Sequence, residues 1–173
     1  MMISTIINDA YVLAQVRAFL LQNIVGPGVS EVIGDVDNRV SMSKNQYITM
    51  NHLGKTRLST NQDTYNLEAS SVKFCYRYGL QLDCVGANAG DWATAISALW
   101  FDPFTCDFFS PFGVAPLWAA DPRHAPWTNG EGQWESRWIV DVFLQVNSIY
   151  PIPSQVFGGP VEIGIVAVDG GNP

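Results

Sequence analysis

The stretch Phe74-Cys75-Tyr76-Arg77-Tyr78-Gly79-Leu80-Gln81-Leu82-Asp83 decides the fold class. Phe74, Tyr76, Tyr78, Leu80 and Leu82 alternate with Cys75, Arg77, Gly79, Gln81 and Asp83. Successive side chains of a strand point to opposite faces, so a period of two predicts a strand with one apolar and one mixed face. The strand is expected over 72–85, and Gly86-Ala87-Asn88 ends it. A helix follows over about 89–101, because Trp92, Ala95, Ile96, Leu99 and Trp100 form one stripe that can pack on a sheet. Asp102-Pro103 closes it.

Downstream, residues 137–149 repeat the strand pattern. Trp138, Val140, Val142, Leu144 and Val146 face one way, and Ile139, Asp141, Phe143, Gln145 and Asn147 the other. Pro151 and Pro153 are expected to end that strand, and Val161–Val168 to form the last one. Upstream, Tyr47–His52 and Lys55–Ser59 look extended, with Gly54 between them marking a bend or bulge. Residues 60–70 read as a polar loop, and 29–45 as a polar connection with a short strand at its start. Residues 8–24 read as a helix capped by Asn8 or Asp9, with Ala10, Leu13, Arg17, Leu20, Leu21 and Ile24 on one stripe. Val12, Val16 and Phe19 widen that stripe, which implies deep burial or a second face on a partner. Gly26-Pro27-Gly28 stops the helix.

Helix, strands, helix, strands, without regular βαβ alternation, gives an α+β fold: an antiparallel or mixed sheet with two main helices on one face. The other sheet face is then mixed, with Arg77, Gln81, Asp83, Asp141, Phe143 and Gln145. No linker or repeat divides residues 1–173, so one domain is expected. Residues 103–136 read as a long aromatic and proline-rich loop with a short strand near Val114–Trp118. A loop of that length is functional or covers another surface. Of its aromatics, Trp118, Trp127, Trp134, Phe108, Phe109 and Phe112 are the candidate subunit or partner interface, because tryptophan is enriched in interface cores.

Charged residues are 14% of the 173, against about 25% in an ordinary domain, so part of the surface is expected to meet something other than water. The net charge of −7, with nine Lys and Arg and no run of them, argues against sequence-specific DNA binding. No uncharged apolar run reaches the ~18 residues of a membrane span, and the start lacks a signal pattern. A soluble, cytoplasmically made chain is the expectation. Cys75, Cys84 and Cys106 lack metal spacing. On one strand the first two lie roughly 30 Å apart, too far to bridge; all three are expected as buried free thiols, with a disulfide from Cys106 to either of the others as the alternative.

Catalytic signals are thin. There is no Gly-x-Ser-x-Gly and no His-Glu-x-x-His. Asp121 and His124 could pair as acid and base in a small hydrolase, but Asp121-Pro122-Arg123-His124 reads first as a turn. Asp35 and Asp37 lack the further ligands of a calcium loop, and Gly26-Pro27-Gly28 is not a phosphate loop. No cofactor or metal is indicated. The loop tryptophans leave a second alternative, a monomeric module that stacks a sugar or base.

Three motifs carry a resemblance. They are Tyr78–Gly86 followed by Trp92–Trp100, the run Ala115-Pro116-Leu117-Trp118-Ala119-Ala120-Asp121-Pro122-Arg123, and the run from Asn129 to Asn147. Across about residues 75–168 the chain resembles the bacteriophage neck or tail terminator proteins. The resemblance implies a structural virion protein with no enzyme activity and no cofactor. It implies a homo-hexameric ring that caps the tail tube, joins the tail to the head's connector and neck proteins, and borders the sheath where the tail contracts. Assembly would take place in the host cytoplasm. Six copies would carry 6 × −7 = −42 formal charges. Asp35, Asp37, Asp63 and Glu68, on expected loops, are the candidates for an acidic channel lining that lets DNA pass without specific binding.

Overall fold

The computed structural model describes residues 7–26, 31–34, 46–65, 70–128, 132 and 134–152. In chain order they form α1 (Asp9–Leu20), a single π-helical turn (Leu21–Val25), β1 (Glu31–Gly34), β2 (Tyr47–Arg57), β3 (Gln62–Tyr65), β4 (Ser70–Val85), α2 (Ala89–Leu99) and α3 (Pro103–Phe109). A 3₁₀ turn (Ser110–Phe112) leads to β5 (Val114–Ala119), β6 (Arg123–His124), β7 (Trp127–Thr128), β8 (Trp134–Glu135) and β9 (Arg137–Ile152). The main sheet runs β1-β2-β4-β9-β5, with β3 beside β4 and β6 beside β9. Only β1 on β2 is parallel among its described pairs, so the sheet is mixed and the fold α+β, as the alternation predicts. β7 and β8 form a separate two-stranded ribbon.

The alternation at Phe74–Asp83 does what it predicts. Tyr76, Tyr78, Leu80, Leu82 and Cys84 of β4 are buried with Val140, Val142, Leu144 and Val146 of β9. They meet Ala89, Trp92, Ala93, Ile96 and Trp100 of the α2 region in one continuous core. Asn8 caps α1 by accepting the Tyr11 N–H at 2.8 Å. The stripe that α1 buries is Val12, Val16, Phe19 and Leu20, while Ala10 and Arg17 are exposed. The expected stripe is thus rotated, because the larger residues at i, i+4, i+7 and i+8 take the core. Arg17 instead donates from Nε to the Val32 carbonyl at 2.8 Å and ties α1 to β1.

Four other expectations change. The polar stretch 60–70 holds β3, since an exposed strand needs only its backbone to pair and its side chains can all be polar. Asp102-Pro103 ends α2 and also starts α3: the Asp102 carboxylate accepts the Phe104 N–H at 2.9 Å, and Pro103 sits in the first turn. Among the described residues three α-helices therefore lie on the covered face, and residues 103–136 contain α3, β5, β6 and the β7–β8 ribbon rather than loop throughout. β9 passes through Pro151 to Ile152. Beyond Val146 it has a partner on one side only among the described residues, and there a missing N–H is tolerated. Gly54 does mark a bulge in β2, with φ at +133°. The expected strand Val161–Val168 lies outside the described residues.

Candidate interaction surface

β4 and β9 are 16 residues each, roughly 50 Å at ~3.3 Å per residue, against about six for an ordinary strand. The helices cover only part of that length. Cover ends where the Ser148 hydroxyl donates to the Ile7 carbonyl at 3.2 Å, just before α1. Beyond it β4 from Ser70 to Cys75, β9 from Ile149 to Ile152, the end of β2 and β3 extend as an arm. Its core-side residues become wet in sequence: Tyr76 is buried, Phe74 half-buried, and Tyr150 is 41% exposed. Ile152 is exposed on the same face, and Leu58 (46%), bonded opposite Cys75, on the other. The bulge at Gly54 puts Lys55 and Arg57 opposite Tyr78 and Tyr76. The Lys55 ammonium lies 5.6 Å from the Tyr76 ring centre and pairs with Asp9 at 2.5 Å, and the Arg57 guanidinium lies 5.7 Å from the Phe74 ring. The arm is therefore aromatic, apolar and cationic together.

The sheet face away from the helices is polar at one end and aromatic in the middle. Asp83 is buried there: its carboxylate accepts from Arg137 Nη2 at 2.7 Å, Asn51 Nδ2 at 3.2 Å and Gln81 Nε2 at 2.9 Å. Asp83, Asn51 and Arg137 line a cleft of about 270 Å³ with Tyr47, Thr49, Val85 and Trp127. Burial raises the Tyr47 phenol above its usual pKa, and the negative charge of Glu135 adds to this. A carboxylate held by three donors is a structural acceptor rather than a free base. Further along, Trp118 stacks on Phe143 at 4.0 Å, and the Arg77 guanidinium lies 5.3 Å from the same ring. Gly79 makes room for this stack, since a Cβ there would stand 3.0 Å from Phe143 Cε1.

The sequence-derived candidates separate into groups. Phe109 is fully buried between Phe19 and Trp100, so its side chain offers no surface. Phe108 is half-buried against Phe19, and Phe112 packs on Phe108. Trp127 is half-buried, and its indole N–H is buried without a hydrogen-bond partner. Trp118 is exposed above Phe143, and Trp134 is 75% exposed on the ribbon. Asp63 is exposed on β3, a strand where a loop is expected, whereas Asp35, Asp37 and Glu68 lie outside the described residues.

The structure does not assemble Asp121 and His124. Both are exposed, no described hydrogen bond joins them, and the His124 ring packs on Trp138 at 4.9 Å. No group of three or more His, Cys, Asp or Glu among the described residues is placed to hold a metal ion. No helix among them is long and apolar enough to cross a membrane. Cys75, Cys84 and Cys106 are free thiols, but only Cys84 is buried as expected; Cys75 is half-buried and Cys106 exposed.

Sequence reasoning missed Leu58, Phe101, Phe104, Tyr150 and Ile152, all exposed. Phe101 carried a signal, because it falls one residue beyond the stripe that ends at Trp100. The others look like core residues of regular elements until the reach of the helical cover is known.

The described sheet thus carries helices on one face, an arm beyond them and exposed aromatics at several places. The sequence pattern of the phage neck terminator proteins matches residues 10–171, nearly the whole chain. The chain belongs to that family. No curated protein matches it. The match includes residues 29–70, beyond the stretch that carries the resemblance. As a neck terminator protein the chain is a structural component of the virion, and it works against other head and tail proteins.

Proposed function

We propose that this neck terminator protein works as one domain that assembles into a homo-hexameric ring. The ring caps the tail tube, stops its growth and joins the tail to the connector proteins of the head. The observation that carries the reading is the family match over residues 10–171. The geometry supports it: a sheet face that no described helix covers, an arm beyond the helices and exposed Trp118 and Trp134 give one chain several surfaces to bury. A head-to-tail contact between unlike surfaces closes into a ring when its rotation closes.

Trp118 and Trp134, with the partly exposed Trp127, Phe108 and Phe112, are the aromatics assigned to subunit and partner contacts. Asp63, together with Asp35, Asp37 and Glu68, is assigned to the channel. Negative charge there lets DNA slide past without being held.

Light scattering behind size exclusion, with negative-stain images of the same peak, tests the ring. Six times the 19.0 kDa chain mass and an open centre are expected, on the chain alone or after addition of tail tubes. A monomer that neither binds tubes nor limits their length contradicts the reading. Tight DNA binding by the ring at moderate salt would contradict the channel assignment alone.

A further inference from the structure

Charge is distributed unevenly along this chain. Residues 52–77, which include the β2, β3 and β4 parts of the arm, hold Lys55, Arg57, Lys73 and Arg77 against Asp63 and Glu68, a formal +2 within a −7 chain. Residues 78–122 hold no Lys or Arg and carry Asp83, Asp91, Asp102, Asp107 and Asp121, a formal −5. Asp83 is spent on Arg137 inside the sheet, but the other four are exposed.

The acidic segment also has its own apolar surface. At the α2–α3 corner Phe101 is 57% exposed and Phe104 50%, and exposed Asp102 and Asp107 flank them. Phe104 and Asp107 stand three apart on α3 and so share a helix face. The arm is the counterpart: on its helix-side face Tyr150 and Ile152 are exposed, with exposed Arg57 over the Phe74 ring that Tyr150 meets. Within one chain the two surfaces do not satisfy each other. Among the described residues no ion pair or hydrogen bond joins Arg57 to Asp102 or Asp107.

We infer that the arm of one copy docks its helix-side face on the α2–α3 corner of the next copy, Arg57 facing Asp107 and Asp102, and Tyr150 and Ile152 packing against Phe101 and Phe104. The contact deepens the ring reading and rests on it. It joins two different patches, which is what a head-to-tail ring contact requires. The apolar side chains among the cations favour a protein surface over nucleic acid, which would use the cations alone. Complementary charge sets register and rejects wrong pairings, and the buried apolar residues supply most of the affinity.

The test is charge reversal with rescue, read by the same scattering and imaging, with and without tail tubes. Arg57→Glu and Asp107→Lys are both at exposed sites, so each variant should keep the wild-type melting temperature and lose the ring. The double variant should recover it. Phe104→Ser should also lose the ring without a change in melting. Wild-type rings that persist in every variant would overturn this contact and leave the ring reading standing. A wild-type chain that forms no ring, alone or on tubes, would overturn both. DNA retention that Arg57→Glu abolishes while rings stay intact would assign the arm to nucleic acid instead.

Discussion

The two ends of the β4–β9 pair share one alternation and differ in what lies on it. From Tyr76 to Cys84, paired with Trp138 to Val146, the inward side chains are nearly all buried beneath α1, α2 and α3. From Ser70 to Phe74, paired with Ser148 to Ile152, the same parity ends in exposed Tyr150 and Ile152. The backbone ladder is continuous across both. Only the helical cover changes. The covered end gains its stability from burial, while the arm leaves apolar surface in water for a later partner to remove.

The sharpest way to break this contrast is Trp100→Ala. Trp100 is fully buried, its indole N–H donates to the Phe143 carbonyl at 3.1 Å, and it meets Phe19 and Phe109 edge-on or tilted. Its loss should cost about 3–5 kcal/mol, the range for a large aromatic removed from a core. Denaturant unfolding measures it, and a cost below about 1 kcal/mol would mean the covered end is not the stability core.

Arg137→Met comes next. It leaves the buried Asp83 carboxylate with its two amide donors but without its cation. The expected loss is about 3 kcal/mol, the low end for breaking a buried pair, since Arg137 is itself partly exposed. Unchanged unfolding would show that the amides alone suffice.

A third test uses pH. Burial pushes the Cys84 thiol up to about 12 from an ordinary 9.0, and the neighbouring Asp83 charge adds to it. Above pH 9 the unfolded thiol loses its proton while the folded one keeps it, so folding stability falls as pH rises. The slope is at most about 1.4 kcal/mol per pH unit, and it vanishes below pH 9. Cys84→Ala should flatten that slope over pH 9–12, and equal slopes would contradict it. The smallest stability effect is expected at the arm. Ile152→Ser and Tyr150→Ser should each stay within ~0.5 kcal/mol of wild type, as for other surface positions, while weakening assembly.

Much of the covered end was legible in the sequence. Alternation at Phe74–Asp83 and Trp138–Asn147 fixed both strands and their buried faces, and the Trp92–Trp100 stripe fixed α2. Asn8 and Gly54 were readable because a cap and a bulge are local devices. The arm was not readable, because period-two alternation tells which side chains share a face and nothing about what covers it. β3 was hidden for a related reason: a strand exposed on both faces has no apolar signature. α3 was hidden because Asp-Pro serves equally to stop one helix and to start the next. Phe109 misled as an interface residue because aromatic content is the same in a core and in a contact. The Asp83–Arg137–Asn51 cluster was beyond reach, since it joins three strands whose register only the folded sheet defines.

Hydrogen exchange, compared between the free chain and the chain assembled on tail tubes, tests the central division of labour most directly. The account predicts that amides of residues 70–76 and 147–152 slow on assembly, while those of residues 80–84 are protected equally in both states. An arm that exchanges identically in the two states would contradict it.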